Sequence, residues 1–305
     1  MNRRPPFVWI TASCLAILFP LLIHADEGVE LRRHWVTGKK YYRVIRVDQE
    51  LKMSFGETSL RQTINNEIDT SEAVSPRADG KGKQVKFKYE RFLMDMDQNG
   101  KKTHFDSSEA DAEGTQNPSY EAMSKLVGRE FSAVLNDQDE VTGMEKGDTG
   151  LEPAKLDAML DIMKKSGLQS FPDHPVKPGD HWPFESTVNL PQIGKVAVKG
   201  TYTMQRMTDH EGVSCAELGI DGEFSLDLAA AEKTSKLSRM GAKLNKASMK
   251  GTLWFDPKLG VLRDSRIDQE MMMEMKDPKN SDAAPMSIPI KQVLTAKLSK
   301  IEDVK

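Results

Sequence analysis

The chain of 305 residues has only two cysteines, few aromatics (7%), and one long apolar run, which lies at its start. Each scarcity excludes something. With Cys14 inside that first run, Cys215 is left without an internal disulfide partner, so ordinary burial has to hold the body together. No nucleophile elbow, phosphate loop, paired metal-ligand helix or haem attachment motif is present. The protein is therefore read as a non-enzyme that needs no cofactor or resident metal. Formal charge is −3, and −5 without Arg3 and Arg4, which excludes a nucleic-acid binder.

The apolar run explains itself as a leader. Arg3 and Arg4 precede an almost wholly apolar stretch from Phe7 to Ile23, and His24-Ala25 then meets Asp26-Glu27. That order of charge, apolar core and small residue predicts a signal peptide over 1–25, cleaved after Ala25. A retained anchor is the alternative, because a run of about 17 residues sits at the lower edge of a spanning helix. A twin-arginine reading is weakened by the two prolines before Phe7, and a lipidation reading by the place of Cys14 within the apolar core. The expected location is exported, periplasmic or extracellular, with no stable transmembrane anchor.

Beyond the leader the pattern has period two. Ile267, Met271, Met273 and Met275 alternate with Arg266, Asp268, Glu270, Glu274 and Lys276, as a half-buried strand requires. Val196, Val198, Gly200, Tyr202 and Met204 do the same. Val85, Phe87 and Tyr89 form one phase, and Phe92, Met94 and Met96 the other; that shift predicts a β-bulge. Turn residues at 97–100, 209–212 and 256–260 mark antiparallel hairpins. Helices are predicted over 119–127, 153–166 and 229–247, and exposed loops over 70–83 and 277–287. The expected fold is mainly β: curved antiparallel sheets, as a sandwich or half-barrel of two similar halves, with two or three helices. The expected division places an N-terminal half at 26–168 and a C-terminal half at 169–305.

Four clusters invite chemistry. Asp95, Asp97, Asn99, Gly100, Thr103 and Asp106 have the spacing of a calcium loop, but strand-like flanks and Lys101-Lys102 favour a hairpin. Asp173, His174, Asp180 and His181 hold zinc-type donors without a further ligand at useful spacing, which favours a proline-rich turn. Met271, Met273 and Met275 are candidates to line an apolar ligand cavity; core packing and copper(I) are the alternatives, and a strand spaces alternate thioethers about 6–7 Å apart, wide for one ion. Lys236, Arg239 and Lys243 belong to a basic run, Lys233 to Lys250, that as a helix would suit an anionic envelope surface.

Three motifs carry a resemblance: Phe171-Pro172-Asp173-His174-Pro175-Val176-Lys177-Pro178-Gly179-Asp180-His181-Trp182, Gly200-Thr201-Tyr202-Thr203-Met204, and Trp254-Phe255-Asp256-Pro257-Lys258-Leu259-Gly260. Together they resemble a domain-of-unknown-function family of exported bacterial proteins, over most of residues 40–276. The last hairpin is also similar to those of lipoprotein-carrier-like folds, which implies a curved antiparallel sheet around an apolar cavity. Neither resemblance implies an activity. The leading expectation is an envelope protein that binds an apolar or amphiphilic ligand; a structural module on an anionic surface is the second, and a hydrolase the third. Expression of the full chain in a bacterial host should yield a mature protein beginning at Asp26, read by intact mass; retention of residues 1–25 would establish the anchor instead.

Overall fold

The computed structural model describes residues 28–55, 58–109, 125–145, 160–161, 164, 171–190, 194–228, 241–276 and 285–304. These form twelve strands: β1 (Lys39–Phe55), β2 (Thr58–Pro76), β3 (Lys83–Gln98), β4 (Lys101–Asp106), β5 (Glu130–Leu135), β6 (Val141–Glu145), β7 (His181–Leu190), β8 (Gly194–His210), β9 (Val213–Asp227), β10 (Lys243–Asp256), β11 (Val261–Met275) and β12 (Met286–Asp303). All belong to one sheet, in the order β6-β5-β3-β2-β1-β12-β11-β10-β9-β8-β7, with β4 also on β3. Every pairing between these strands is antiparallel. The two sequence halves thus share a single sheet, joined where β1 meets β12.

Period two sorts the side chains. Directly opposed residues share a face, so one row reads Trp182, Tyr202, Ile220, Gly251, Ile267, Leu294, Val47, Asn66, Met94 across nine strands. The other face is charged, and exposed cross-strand pairs such as Lys199–Glu223 (2.8 Å), Lys250–Asp221 (3.0 Å) and Lys291–Glu270 (3.1 Å) run over it. Such exposed pairs add little stability each. Their work is to keep that face wet.

The sheet is curled around its apolar face. Residues 28–38 run along one end of it as an extended strap, starting at a bridge between Val29 and Val176. The His34 amide donates to Gly260 O (2.9 Å), in the β10–β11 turn. His34 Nδ1 lies 2.7 Å from Asp139 Oδ2, in the β5–β6 turn. Between β11 and β5 lie five inter-strand steps, about 24 Å in a flat sheet. One residue reaches both turns only if the sheet bends. Trp35 then packs with Val261 of β11 and with Val85 and Ala133 of β3 and β5 in one buried cluster. Leu31 packs with Phe255, Leu253 and Met204 in another.

The turns fall where expected. Asn99 and Gly100 both have positive φ (51° and 86°), and so do Glu211 and Gly212 (54° and 81°), the backbone of tight primed hairpins. In each, the Asp three residues earlier accepts from the Gly amide: Gly100 N to Asp97 Oδ1 at 2.7 Å, Gly212 N to Asp209 Oδ1 at 2.9 Å. The phase shift in β3 is a bulge: Thr70 pairs with Tyr89 and Asp69 with Arg91, leaving Glu90 unopposed.

Two expectations are corrected, and the expected helix count is not met among the described residues. No helix is delineated among the described residues; Leu160, Asp161 and Lys164 are helical, while the rest of the first two helix candidates lies almost wholly outside the described residues. The third candidate fails at its end, because Lys243 to Ala247 open β10. Alternate burial of Ala247 and Met249 between exposed Lys246, Ser248 and Lys250 shows why: the basic spacing fits a strand face as well as a helix face. Residues 70–76 are strand rather than loop; Glu72 and Val74 are buried on the curled side, and Ser71 is buried on the other face, where its hydroxyl donates to Glu90.

Gly260 sets the closeness of the strap. Its φ is +68°, and a Cβ there would stand 2.6 Å from His34 N and 2.7 Å from Arg32 O. Gly100 also has positive φ but open space around it. Gly100→Ala should therefore lose about 1–2 kcal/mol, for conformation alone. Gly260→Ala should lose about 2–5 kcal/mol, since the strap must also be displaced. Urea midpoints of the two variants check the order.

Candidate functional site

The apolar face is unevenly covered. At the strap end it is closely packed, with Met204, Leu218 and Ala216 fully buried, apart from a cavity of about 180 Å³ beside Trp35. At the opposite end Met271, Met273 and Met275 remain only half-buried, as do Leu244, Val196, Val198 and Leu226. Met271 pairs with Ala247 on one side and Ile290 on the other, Met273 with Leu244 and Ile288, and Met275 with Met286. The three methionines predicted from sequence thus stand in a row on the curled-in face.

The sheet divides on both sides of that row. β9 and β10 pair only from Ala216/Phe255 to Glu223/Ser248. Past that rung, Phe224–Asp227 pair with β8 alone and Lys243–Ala247 with β11 alone. On the other side the β1–β12 ladder stops at Leu51/Ile290. The next residue is Pro289, which has no N–H to offer a further rung. Strand ends 243–247, 271–275 and 286–289 therefore make a three-stranded tongue with a methionine-rich face.

A groove of about 1190 Å³ lies in the β9–β10 division. Phe184, Val198, Phe224, Leu244 and Ala247 give it apolar wall, and Glu185, Lys199, Glu223 and Lys246 a charged rim. Gly200 and Gly222 oppose each other at its floor. A Cβ on Gly200 would meet Phe184 Cζ at 2.7 Å, and one on Gly222 would meet Met249 Cε at 3.2 Å, so bare backbone lets both side chains lie down on the sheet. The volume exceeds the usual ~300–1,000 Å³ of small-molecule sites. Polar atoms interrupt the apolar face: Gln269, Gln292 and Gln49 form one row, and the buried Asn66 Oδ1 has no hydrogen-bond partner among the described residues.

The remaining candidates resolve into turns and ion pairs. The calcium spacing is a hairpin: Asp97 caps its turn, Asp95 pairs with His104 (2.6 Å), and Asp106 is bound by Arg91. Asp180 accepts from Lys177 N (2.8 Å) and His174 Nδ1 sits 3.2 Å from Pro175 O, as in a proline-rich turn; the four zinc-type residues do not converge as a ligand set. Two other groups have metal-like spacing among the described residues: His104, Asp106 and Glu109, and His210, Glu211 and Asp264. Both already engage cations, through Arg91–Asp106 and Lys297–Glu211. Cys215 is fully buried, and burial raises its thiol pKa, with Asp256 adding to the shift. Burial likewise pushes Tyr202 up to about 12. Lys243 is exposed at the tip of β10; Lys236 and Arg239 lie outside the described residues.

No family model and no curated protein matches the chain. Solved structures to which the chain shows some likeness include lipovitellin, at 10% identity and TM-score 0.48 over 89% of this chain and 26% of that one. A beta-barrel-like protein of domain of unknown function DUF1849 from Brucella abortus matches at 10% identity and TM-score 0.21, over 90% of this chain and 100% of that one. A putative outer membrane lipoprotein-sorting protein domain from Vibrio parahaemolyticus matches at 8% identity and TM-score 0.12, over 85% and 84%. This chain spans about a quarter of the lipovitellin chain. At these TM-scores the likenesses carry nothing about site or activity. Among the described residues no helix is long and apolar enough to cross a membrane.

Asp106 provides a pH test of the polar face. Hydrogen bonds from the Arg91 guanidinium hold its carboxyl well below the usual carboxylate range, aided by Ser108. A depressed folded-state pKa gives stability that is present above the unfolded value, about 3.9, and is lost as pH falls through the folded one. Asp106→Asn should cost about 1–3 kcal/mol at pH 7. The gap between variant and parent should narrow as pH falls below about 3.9, read from urea midpoints at each pH.

Proposed function

We propose that this protein is a non-enzymatic carrier of an apolar or amphiphilic ligand, working outside the cytoplasm after export. The ligand enters the groove where β9 and β10 part and lies against the methionine face of the tongue. One observation carries the reading: a mainly apolar face, crossed by one row of glutamines, that is closely packed at one end and left half-covered, beside a groove, at the other. A fold without a ligand gains nothing by leaving Met271, Met273 and Met275 part-wet, since each fully buried side chain of this size would contribute about 1.5–3 kcal/mol. Thioethers suit such a surface because flexible, polarizable side chains accept ligands of varied shape. Export rests on the leader, and the lack of activity on the absence of any catalytic motif in the sequence.

The test is direct. Delipidated protein should enhance the fluorescence of a hydrophobic naphthalene probe, and Met271→Asp with Met273→Asp should weaken that binding by about tenfold or more, since two buried contacts are lost. Circular dichroism confirms that the double variant keeps its strands. No enhancement by the parent protein, together with no lipid on mass analysis of freshly purified material, rules the carrier out. Charge reversal at Lys236, Arg239 and Lys243 should leave probe binding unchanged; loss of sedimentation with anionic vesicles in that variant would favour the envelope-surface module instead.

A further inference from the structure

The strap that closes the curled sheet carries a misplaced charge. Along it Val29, Leu31, Arg33 and Trp35 alternate with exposed Glu30, Arg32 and His34, so Arg33 occupies the inward phase of an otherwise apolar series. Its guanidinium lies 4.8 Å from the centre of the Trp35 ring, and the residue is part of the wall of a cavity of about 180 Å³. The other walls are Arg43, Phe171, Phe255, Val261, Leu262 and Ala296. A cavity of that kind ordinarily excludes charge.

Counter-charge is already committed elsewhere. Arg43 takes Glu72, Nε to Oε2 at 3.2 Å, and donates Nη1 to Leu262 O at 2.8 Å. Asp139 takes Lys83 at 2.7 Å and His34 at 2.7 Å. Glu72 and Asp139 are also the carboxylates whose fields reach Arg33. Two acids thus serve three permanent cations, Arg33, Arg43 and Lys83. Among the described residues Arg33 has no hydrogen-bonded acid. Burial pushes its pKa below the ordinary guanidinium value and Arg43 repels it further, while Glu72 and Asp139 oppose both. An arginine starts so high that it stays charged regardless. The strap therefore holds a half-buried cation over the Trp35 ring, without a hydrogen-bonded acid among the described residues, at the wall of a mostly apolar cavity that it shares with Arg43.

We propose that Arg33 receives the oxyanion head of the ligand, so that the protein selects anionic amphiphiles, carboxylate- or phosphate-headed, over neutral ones. This rests on the carrier reading above and adds the head to it. The cavity is smaller than a site for a whole ligand, ~300–1,000 Å³, and suits a headgroup. From Leu262 at its wall the inward side of β11 runs through Ser265, Ile267 and Gln269 to Met271, about 30 Å at strand spacing, so an acyl tail headed here would lie along β11 in the direction of the methionine tongue. A planar guanidinium matches either oxyanion with paired hydrogen bonds.

The experiment is displacement of a neutral hydrophobic fluorophore from the full mature protein, at low salt and below micelle-forming concentrations. Oleate is compared with oleyl alcohol, and oleoyl lysophosphatidate with monooleoylglycerol. The parent protein should bind each anion about tenfold or more tighter than its neutral partner, as a charge-assisted hydrogen-bonded pair provides. Arg33→Gln should bring that ratio to within about twofold by weakening the anions alone, and Arg33→Lys should restore part of it. The tighter of the two anions identifies the head as carboxylate or phosphate. Equal binding of anion and neutral partner by the parent protein overturns the proposal and leaves the carrier reading intact. Displacement by none of the four removes the carrier reading itself. Should Arg33→Gln fail to fold, the parent ratio alone decides.

Discussion

Everything in this fold depends on a single residue spanning what would be five strand spacings. With its amide on Gly260 and its ring on Asp139, His34 ties two turns that a flat sheet would hold about 24 Å apart. The remaining features follow from that tie. Strands of 14 to 19 residues, long enough to span a small domain, are bent into a trough whose inside is apolar and whose outside is a field of alternating charge. Trp35 and Leu31 fill the tied end, and nothing comparable among the described residues fills the other. The asymmetry between ends, rather than any motif, gives the molecule a candidate site.

Two small chemical details shape the untied end. Pro289 stops the β1–β12 ladder, because a residue without an N–H cannot make the next rung. Glycines 200 and 222 let Phe184 and Met249 lie flat on the sheet beside the point where β9 and β10 part. In between stands the methionine tongue, attached to the rest only through its strand continuations. Its edges have fewer hydrogen bonds than the body of the sheet, and local opening is easiest where the ladder is thinnest.

Much of this was readable in the residues. Alternation announced the strands around Ile267–Met275 and Val196–Met204, the Asp-to-Gly spacing announced three hairpins, and the changed phase after Tyr89 announced a bulge that proved to be Glu90. What misled was periodicity shared by two structures. Lysines at 243, 246 and 250 fit a helical stripe, yet the burial of Ala247 and Met249 between them is that of a strand. Polar composition at 70–76 suggested a loop, whereas Ser71 and Glu72 are buried through partners far away in sequence, Glu90 and Arg43. The strap escaped because it is too short and irregular to read as a strand. Its signal was present all the same, in the alternation of Val29, Leu31, Arg33 and Trp35 with one cation in the apolar phase. Pro289 and the division of β9 from β10 had no sequence signal, since a missing rung is a property of two chains lying side by side.

The pairing of β1 with β12 joins Lys39 to Asp303, so the central seam of the sheet links the two ends of the described chain. At ribosomal speeds of about 5–20 residues per second, β1 waits on the order of tens of seconds for its neighbour to be made. Hairpins can assemble on either side meanwhile, but each presents a bare apolar face and an unpaired edge until the last strand arrives. Such a chain stays loose until it is complete. Under the export proposed above, a chain that threads a narrow channel does so before it folds; slowness of this kind would then be an asset and would place the hazard of misassociation at the moment of emergence.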